Sequence, residues 1–425
     1  MRLFVITLFF FVYLISTAQN TYLHCGKLID VEQKKVQTEM TVVISENMIK
    51  TVVKGYQNPS SNADHVIDLK NKTVLPGLID MHVHLESEQS ASTYLNRFTM
   101  NEADIAFETA KNAKTTLLAG FTTVRDLGGT GVNTALRNAI DKGVAEGPRI
   151  YSCGKAIGTT GGHADPSNGI KKDLAENPGP LQGVINGPDE ARAAVRQRYK
   201  NGADVIKITA TGGVLSVAKN GQNPQFTLEE IKAICETAKD YDMHVAAHAH
   251  GDEGMQRAIL GGVKTIEHGT LMSEKTMGLM IEYDVFYVPT ITAGKEVSDK
   301  AKIKGFYPEI IVPKAAEIGP KIQGTFQTAY KKGVPIAFGT DAGVFPHGLN
   351  GKEFAYMTEA GMPPIETIIC ATSTNAKLLK NDKIGVLKAG KLADIIAVED
   401  DPTKNIKTME KVVFVMKDGK VYKNE

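Results

Sequence analysis

The chain has 425 residues, 49 Lys+Arg against 48 Asp+Glu for a formal charge of +1, 42% hydrophobic and 23% charged residues, and no Trp. With no basic excess or stripe to neutralise phosphates it is not a dedicated nucleic-acid binder, and its composition is globular rather than disordered. The length suits about two or three domains, or one large α/β barrel with an appendage.

Residues 3–15, LFVITLFFFVYLI, form an uncharged apolar run behind Arg2, followed by Ser16-Thr17-Ala18 and the polar pair Gln19-Asn20. A charged start, a short hydrophobic region and a small-x-small site read as a signal peptide over 1–18, cut after Ala18. The run falls short of the roughly 20 residues of a membrane span. Export is therefore expected, to a periplasm or the extracellular space, with no stable membrane anchor after cleavage; an uncleaved N-terminal anchor is the alternative. Cys25, Cys153, Cys235 and Cys370 are far apart and form no CxxC pair. A chain this long buries a sufficient core without staples, so free buried thiols are expected.

From 19 to 75, the stretches YLHCGKLID, MTVVISENMIKTVV and HVIDLKNKTVLPG are short apolar runs between turn residues, which predicts strands. Residues 381–425 have the same character, with Asp418-Gly419 as a hairpin turn. The two ends are expected to pair into one small discontinuous β-sandwich domain. Between them, 76–380 alternates helical stretches with short β-branched strands and Gly-rich loops, as in NGADVIKITATGG and KKGVPIAFGTDAG. The helical stretch LEEIKAICETAKD places Ile231, Ile234, Cys235 and Ala238 on one face. Repeated βα units with apolar strands predict a (β/α)8 TIM-like barrel, whose functional residues sit at the C-terminal strand ends.

The first of these strands, GLIDMHVHLE, puts His82 and His84 on one face by alternation. Polar residues recur at later strands: Lys207 in VIKIT, His248 and His250 in VAAHAHG, His268 in TIEHG and Asp341 in IAFGTD. Barrel interiors are filled by branched apolar side chains, and an unpaired buried Lys or Asp costs several kcal/mol, on the order of 3–5. Each residue has a local explanation, such as Lys207 pairing with an acid or Asp341 capping a helix. A shared divalent metal site accounts for all of them together. None of the Gly-rich loops has phosphate-loop or dinucleotide spacing. The insertion from about Lys155 to Asn186 is long for a βα loop and is a candidate lid or specificity element.

With these motifs the sequence resembles the metal-dependent amidohydrolase superfamily: GLIDMHVH is similar to its PGxIDxHxH opening. The motifs KITATGG, HAHG, EHGT and GTDAG are nearest the subgroup of Xaa-Pro dipeptidases, carboxypeptidase-like amidohydrolases and imidazolonepropionase-related proteins. The resemblance implies two divalent metal ions, zinc by family habit. His82, His84 and Asp341 would hold one, His248 and His268 the other, and Lys207, carboxylated on its amine, would bridge them. It further implies Asp341 as general base towards water made acidic by the cations. His250 is the candidate oxyanion donor and substrate contact. His163 and His347, on mouth loops, are candidate substrate contacts, and Arg125 a candidate carboxylate clamp, with pairing to Asp126 or another barrel acid as its alternative. His24, His65 and His244 carry no assigned role.

The leading expectation is an exported enzyme that hydrolyses the amide C–N bond of a small-molecule dipeptide or N-acyl amino acid with a free carboxylate. The alternatives are a cyclic-amide hydrolase of the imidazolonepropionase type and a non-catalytic extracytoplasmic binding protein. A homo-oligomer is left open.

Overall fold

The computed structural model describes residues 19–175, 177–218 and 220–425; the expected signal peptide, 1–18, lies outside the described residues. The chain begins with β1 (Asn20–Asp30), β2 (Lys35–Ser45), β3 (Met48–Lys54) and β4 (His65–Pro76). The central strands are β5 (Leu78–Val83), β6 (Phe121–Asp126), β7 (Arg149–Ser152), β8 (Ile206–Thr209), β9 (Val245–Ala249), β10 (Thr265–His268) and β11 (Phe286–Val288). It ends with β12 (Ile395–Val398), β13 (Val412–Lys417) and β14 (Lys420–Asn424).

The first four strands and the last three hydrogen-bond into one seven-stranded sheet in the order β14-β13-β12-β4-β1-β2-β3. The junction is antiparallel pairing of β4 with β12, Leu75 opposite Ile396. β13 and β14 form a hairpin around Asp418 and Gly419, at φ 49° and 76°, the left-handed pair that a two-residue turn requires. Alternate residues of these strands, including Leu23, Cys25, Val42, Ile395, Phe414 and Met416, form one buried cluster. Where the sequence suggested a two-sheet sandwich, hydrogen bonding draws a single sheet enclosing that cluster.

The middle of the chain is α/β with a TIM-like arrangement of parallel strands. Three strands run β5-β6-β7 and four run β8-β9-β10-β11, all pairs parallel. The two sheets do not close into one continuous ladder; isolated parallel bridges join Ile157 to Ile208, Tyr287 to Ile336 and Val83 to Ala342. The helix Leu228–Lys239 illustrates the surrounding layer. A reciprocal capping box of Thr227 and Glu230 starts it, and it buries Ile231, Ile234 and Ala238, with Cys235 at the edge. Among the described residues no helix is long and apolar enough to cross a membrane. All four cysteines are free, and three are buried.

Candidate metal centre and substrate cavity

Strand pairing brings the polar strand ends together. The segment carrying Asp341 lies beside β5: the Asp341 amide donates to the His82 carbonyl at 2.7 Å and the His84 amide to the Ala342 carbonyl at 2.7 Å. Parallel register sets Thr209 against His248 and His248 against Glu267, so Lys207, His248 and His268 come from three adjacent strands. His82 Nε2 lies 3.5 Å from Asp341 Oδ1, and His84 Nε2 lies 3.2 Å from the same oxygen. Lys207 Nζ is 3.4 Å from His82 Nε2. The His248 ring centroid is 4.7 Å from that of His268. One ligand atom from each of His82, His268 and Asp341 lies within 4.8 Å of the other two.

The electrostatics suit a cation. Burial, reinforced by Lys207, pushes His82 down to about 4, and burial likewise depresses His248 and His268. These rings are therefore neutral near pH 7, the form in which imidazole ligates metal. Burial lowers Lys207 as well. Burial alone would raise Asp341, but the His82 and His84 rings and Lys207 hold it below the ordinary carboxylate range. Asp341 Oδ1 is buried and accepts no hydrogen bond despite the imidazoles beside it. Lone pairs from a carboxylate and several imidazoles converging on one point form a donor set that fits a borderline divalent ion.

Two of the ligand candidates reach the cluster through unusual backbone. Alternation along β10 points Thr265 and Glu267 inward and would turn His268 away. His268 sits at φ 71° and Asp341 at φ 62°, left-handed conformations rare for non-glycine residues. Thr290, at φ 53°, contributes Oγ1 to His268 Nδ1 at 2.8 Å. The next two amides, of Ile291 and Thr292, donate to the buried Glu353 carboxylate at 2.8 Å each.

A 330 Å3 cavity opens over the cluster. His82, His84, His163, Lys207, His248, His250, His268 and Asp341 line it, and Val214, Leu215, Val297, Ile318, Ile322 and Val344 supply apolar wall. His250 holds Thr270 Oγ1 through Nδ1 at 3.0 Å. His163 packs 4.4 Å from His248, centroid to centroid, and its buried Nδ1 has no hydrogen-bond partner. From the long insertion, Ala156 and Ala164 also line the cavity.

Two expectations are corrected. Arg125 is no cavity residue: it is wholly buried, donates to Glu267 Oε1 at 2.8 Å and to the Met81 carbonyl at 2.7 Å, and so cannot clamp a substrate carboxylate. Its pairing with another barrel acid, the alternative reading, is what occurs, with Glu267 and not Asp126. His347 also stands outside the cavity lining; its ring nitrogens meet Thr116 Oγ1 at 3.3 Å and the Ser87 carbonyl at 3.2 Å. Residues that the motifs passed over are Glu267, which sits behind His82, and Thr290, behind His268. Glu267 was visible as an acid on the inward face of an apolar strand, by the argument already applied to Lys207. Thr290 left no signal in the sequence.

The strand arrangement carries a candidate metal-binding cluster at one end, and comparison gives the family. A family model described as the amidohydrolase family matches residues 73–422. A solved Xaa-Pro dipeptidase with methionine bound in its active site is 53% identical, covers 96% of this chain and 100% of its own, and superposes with a TM-score of 0.93. A prolidase complexed with N-methylphosphonate-L-proline is 30% identical, with coverage of 96% and 100% and a TM-score of 0.87. Ochratoxinase from Aspergillus niger is 32% identical over 96% of this chain and 87% of its own length. The chain belongs to the amidohydrolase family and is a hydrolase acting on C–N bonds; the family is generally metal-dependent.

Proposed function

We propose that the chain is a metallohydrolase that cleaves the C–N bond of dipeptides, Xaa-Pro among them, or of N-acyl amino acids with a free carboxylate. The observation that carries this reading is the convergence of six histidines, Lys207 and Asp341 on one cavity whose remaining wall is largely apolar. The names of the similar dipeptidase and prolidase support it.

His82, His84 and Asp341 would hold one divalent ion, zinc in this proposal, and His248 and His268 a second. Lys207 would bridge them: burial favours its neutral amine, the form that adds carbon dioxide with loss of a proton to become an anionic carbamate. When bound, the ions supply Lewis acidity towards the scissile carbonyl and towards water. The Asp341 carboxylate takes the proton of the attacking water and delivers it to the leaving nitrogen. His250, whose Nδ1 is engaged by Thr270, keeps Nε2 for the oxyanion. Among the described residues Lys207 is the one lysine or arginine of the cavity lining, and His163 is proposed to meet the substrate carboxylate.

The barrel over 76–380, the two-part β-domain over 19–75 and 381–425, and export after cleavage at Ala18 complete the proposal. N-terminal sequencing of secreted protein should begin at Gln19. Activity is tested by profiling zinc-loaded and chelator-treated protein against Xaa-Pro dipeptides, other dipeptides and N-acyl amino acids. Equal rates with and without chelator would overturn the metal-dependent reading, and turnover of cyclic amides alone would move the substrate class.

A further inference from the structure

His82 differs from the other histidines of the cluster in what stands behind its ring. His84 Nδ1 rests on the Gly128 carbonyl at 3.1 Å, His268 Nδ1 on Thr290 Oγ1 at 2.8 Å and His248 Nε2 on the Gly212 carbonyl at 3.1 Å. All three are neutral oxygens. His82 Nδ1 instead meets Glu267 Oε2 at 2.9 Å, and both side chains are wholly buried. The other oxygen, Glu267 Oε1, is occupied by Arg125 Nη2 at 2.8 Å and by the Thr265 hydroxyl. Arg125 Nε donates at 2.7 Å to the carbonyl of Met81, the residue before His82, and Nη1 donates to His244 Nε2 at 3.0 Å. One guanidinium therefore grips the backbone just before His82 and the acid behind its ring.

A buried ion pair is a weak source of stability, because desolvating both charges offsets their attraction. What this pair supplies is direction. A carboxylate accepts only, so His82 must carry its proton on Nδ1, and Nε2 is left as a bare acceptor facing Asp341 and Lys207. We infer that Glu267, locked by Arg125, is a positioning residue that sets the tautomer and angle of His82 and so makes the metal position of His82 and His84 dependent on a charge the other position lacks. The inference rests on the metal-binding reading above. Lysine cannot replace Arg125 fully, since a point ammonium does not span Met81, Glu267 and His244 in one plane.

Zinc affinity is measured by competition with a chromophoric chelator on the full chain and on Glu267→Gln and Arg125→Lys, with circular dichroism to verify folding. Glu267→Gln is expected to weaken one zinc equivalent by roughly 10- to 100-fold and leave the other unchanged, with Arg125→Lys showing a smaller loss of the same equivalent. Histidine-selective 15N NMR of the unsubstituted protein, independent of any variant's folding, should find His82 protonated on Nδ1. Protonation on Nε2 overturns the inference. So does a folded Glu267→Gln that binds every equivalent as tightly as the parent, which leaves the metal-binding reading intact. A parent chain that takes up no zinc removes that reading and this inference with it.

Discussion

The seven-stranded terminal sheet and the strand ends around Asp341 are built by opposite rules. In the sheet, Leu23, Val42, Ile395 and Phe414 follow ordinary alternation into an apolar cluster, and the left-handed residues Asp418 and Gly419 sit in a turn, where such conformations are cheap. At the strand ends, His268, Thr290 and Asp341 hold left-handed conformations while buried, and acids and imidazoles stand where a barrel expects branched aliphatics. Local consistency marks the part that supplies stability; its violation, compensated by Glu353, Glu267 and Arg125, marks the part proposed to do chemistry.

Substitutions should separate the two regions. The largest effect is expected from Asp341→Asn, which removes the proposed proton carrier. Turnover should fall roughly 1000-fold with the denaturation midpoint little changed, and retention of turnover would end its role as base. The converse experiment is Phe414→Ala, which should cost about 3–5 kcal/mol in urea unfolding and leave kcat/KM intact below the melting temperature.

Glu353 tests the supports of the strained segment. Burial raises its folded-state pKa from 4.5 to about 7. The sign follows from proton linkage: the folded state holds the proton longer, so the group's contribution is complete below the unfolded value of 4.5 and is lost as pH rises through about 7. In thermal melts from pH 4 to 8, the stability advantage of the parent over Glu353→Gln should shrink across this window by an amount on the order of 3 kcal/mol, the depressed histidines contributing alike to both proteins. An advantage that stayed constant with pH would overturn this contribution. The smallest effects come from the loop histidines. His163→Asn should raise KM about 10-fold or more, by loss of a hydrogen bond to a charged group. His347→Asn should leave both kinetic constants within about 2-fold and lower stability by about 1 kcal/mol. Equal kinetic effects would return His347 to the substrate.

Much of the site was legible because strand alternation is a local property. His82 and His84 share a face in any strand, His248 and His250 likewise, and a lysine or aspartate amid apolar β-branched residues stands out without a structure. The same reasoning misplaced Arg125, since alternation tells which way a side chain points but not how deep in the strand layer it lies. Arg125 is inward-facing, yet sits one level below the cavity, level with Met81 and His244 rather than with the strand ends. His347 failed for a related reason: a loop following a ligand strand need not turn its side chain over the mouth, and here it bonds Thr116 and Ser87.

By itself the sequence determined the α/β middle, the β-rich ends, the family and the identities of the metal-site candidates, because periodicity and motif spacing are written residue by residue. Only the tertiary structure decided that the ends form one sheet, that Glu267 and Arg125 stand behind His82, that His268 turns inward against alternation and that Asp341 takes a left-handed backbone. Those outcomes depend on depth, register between strands and backbone conformation, which are set by packing among segments as distant as Arg125 and Glu267.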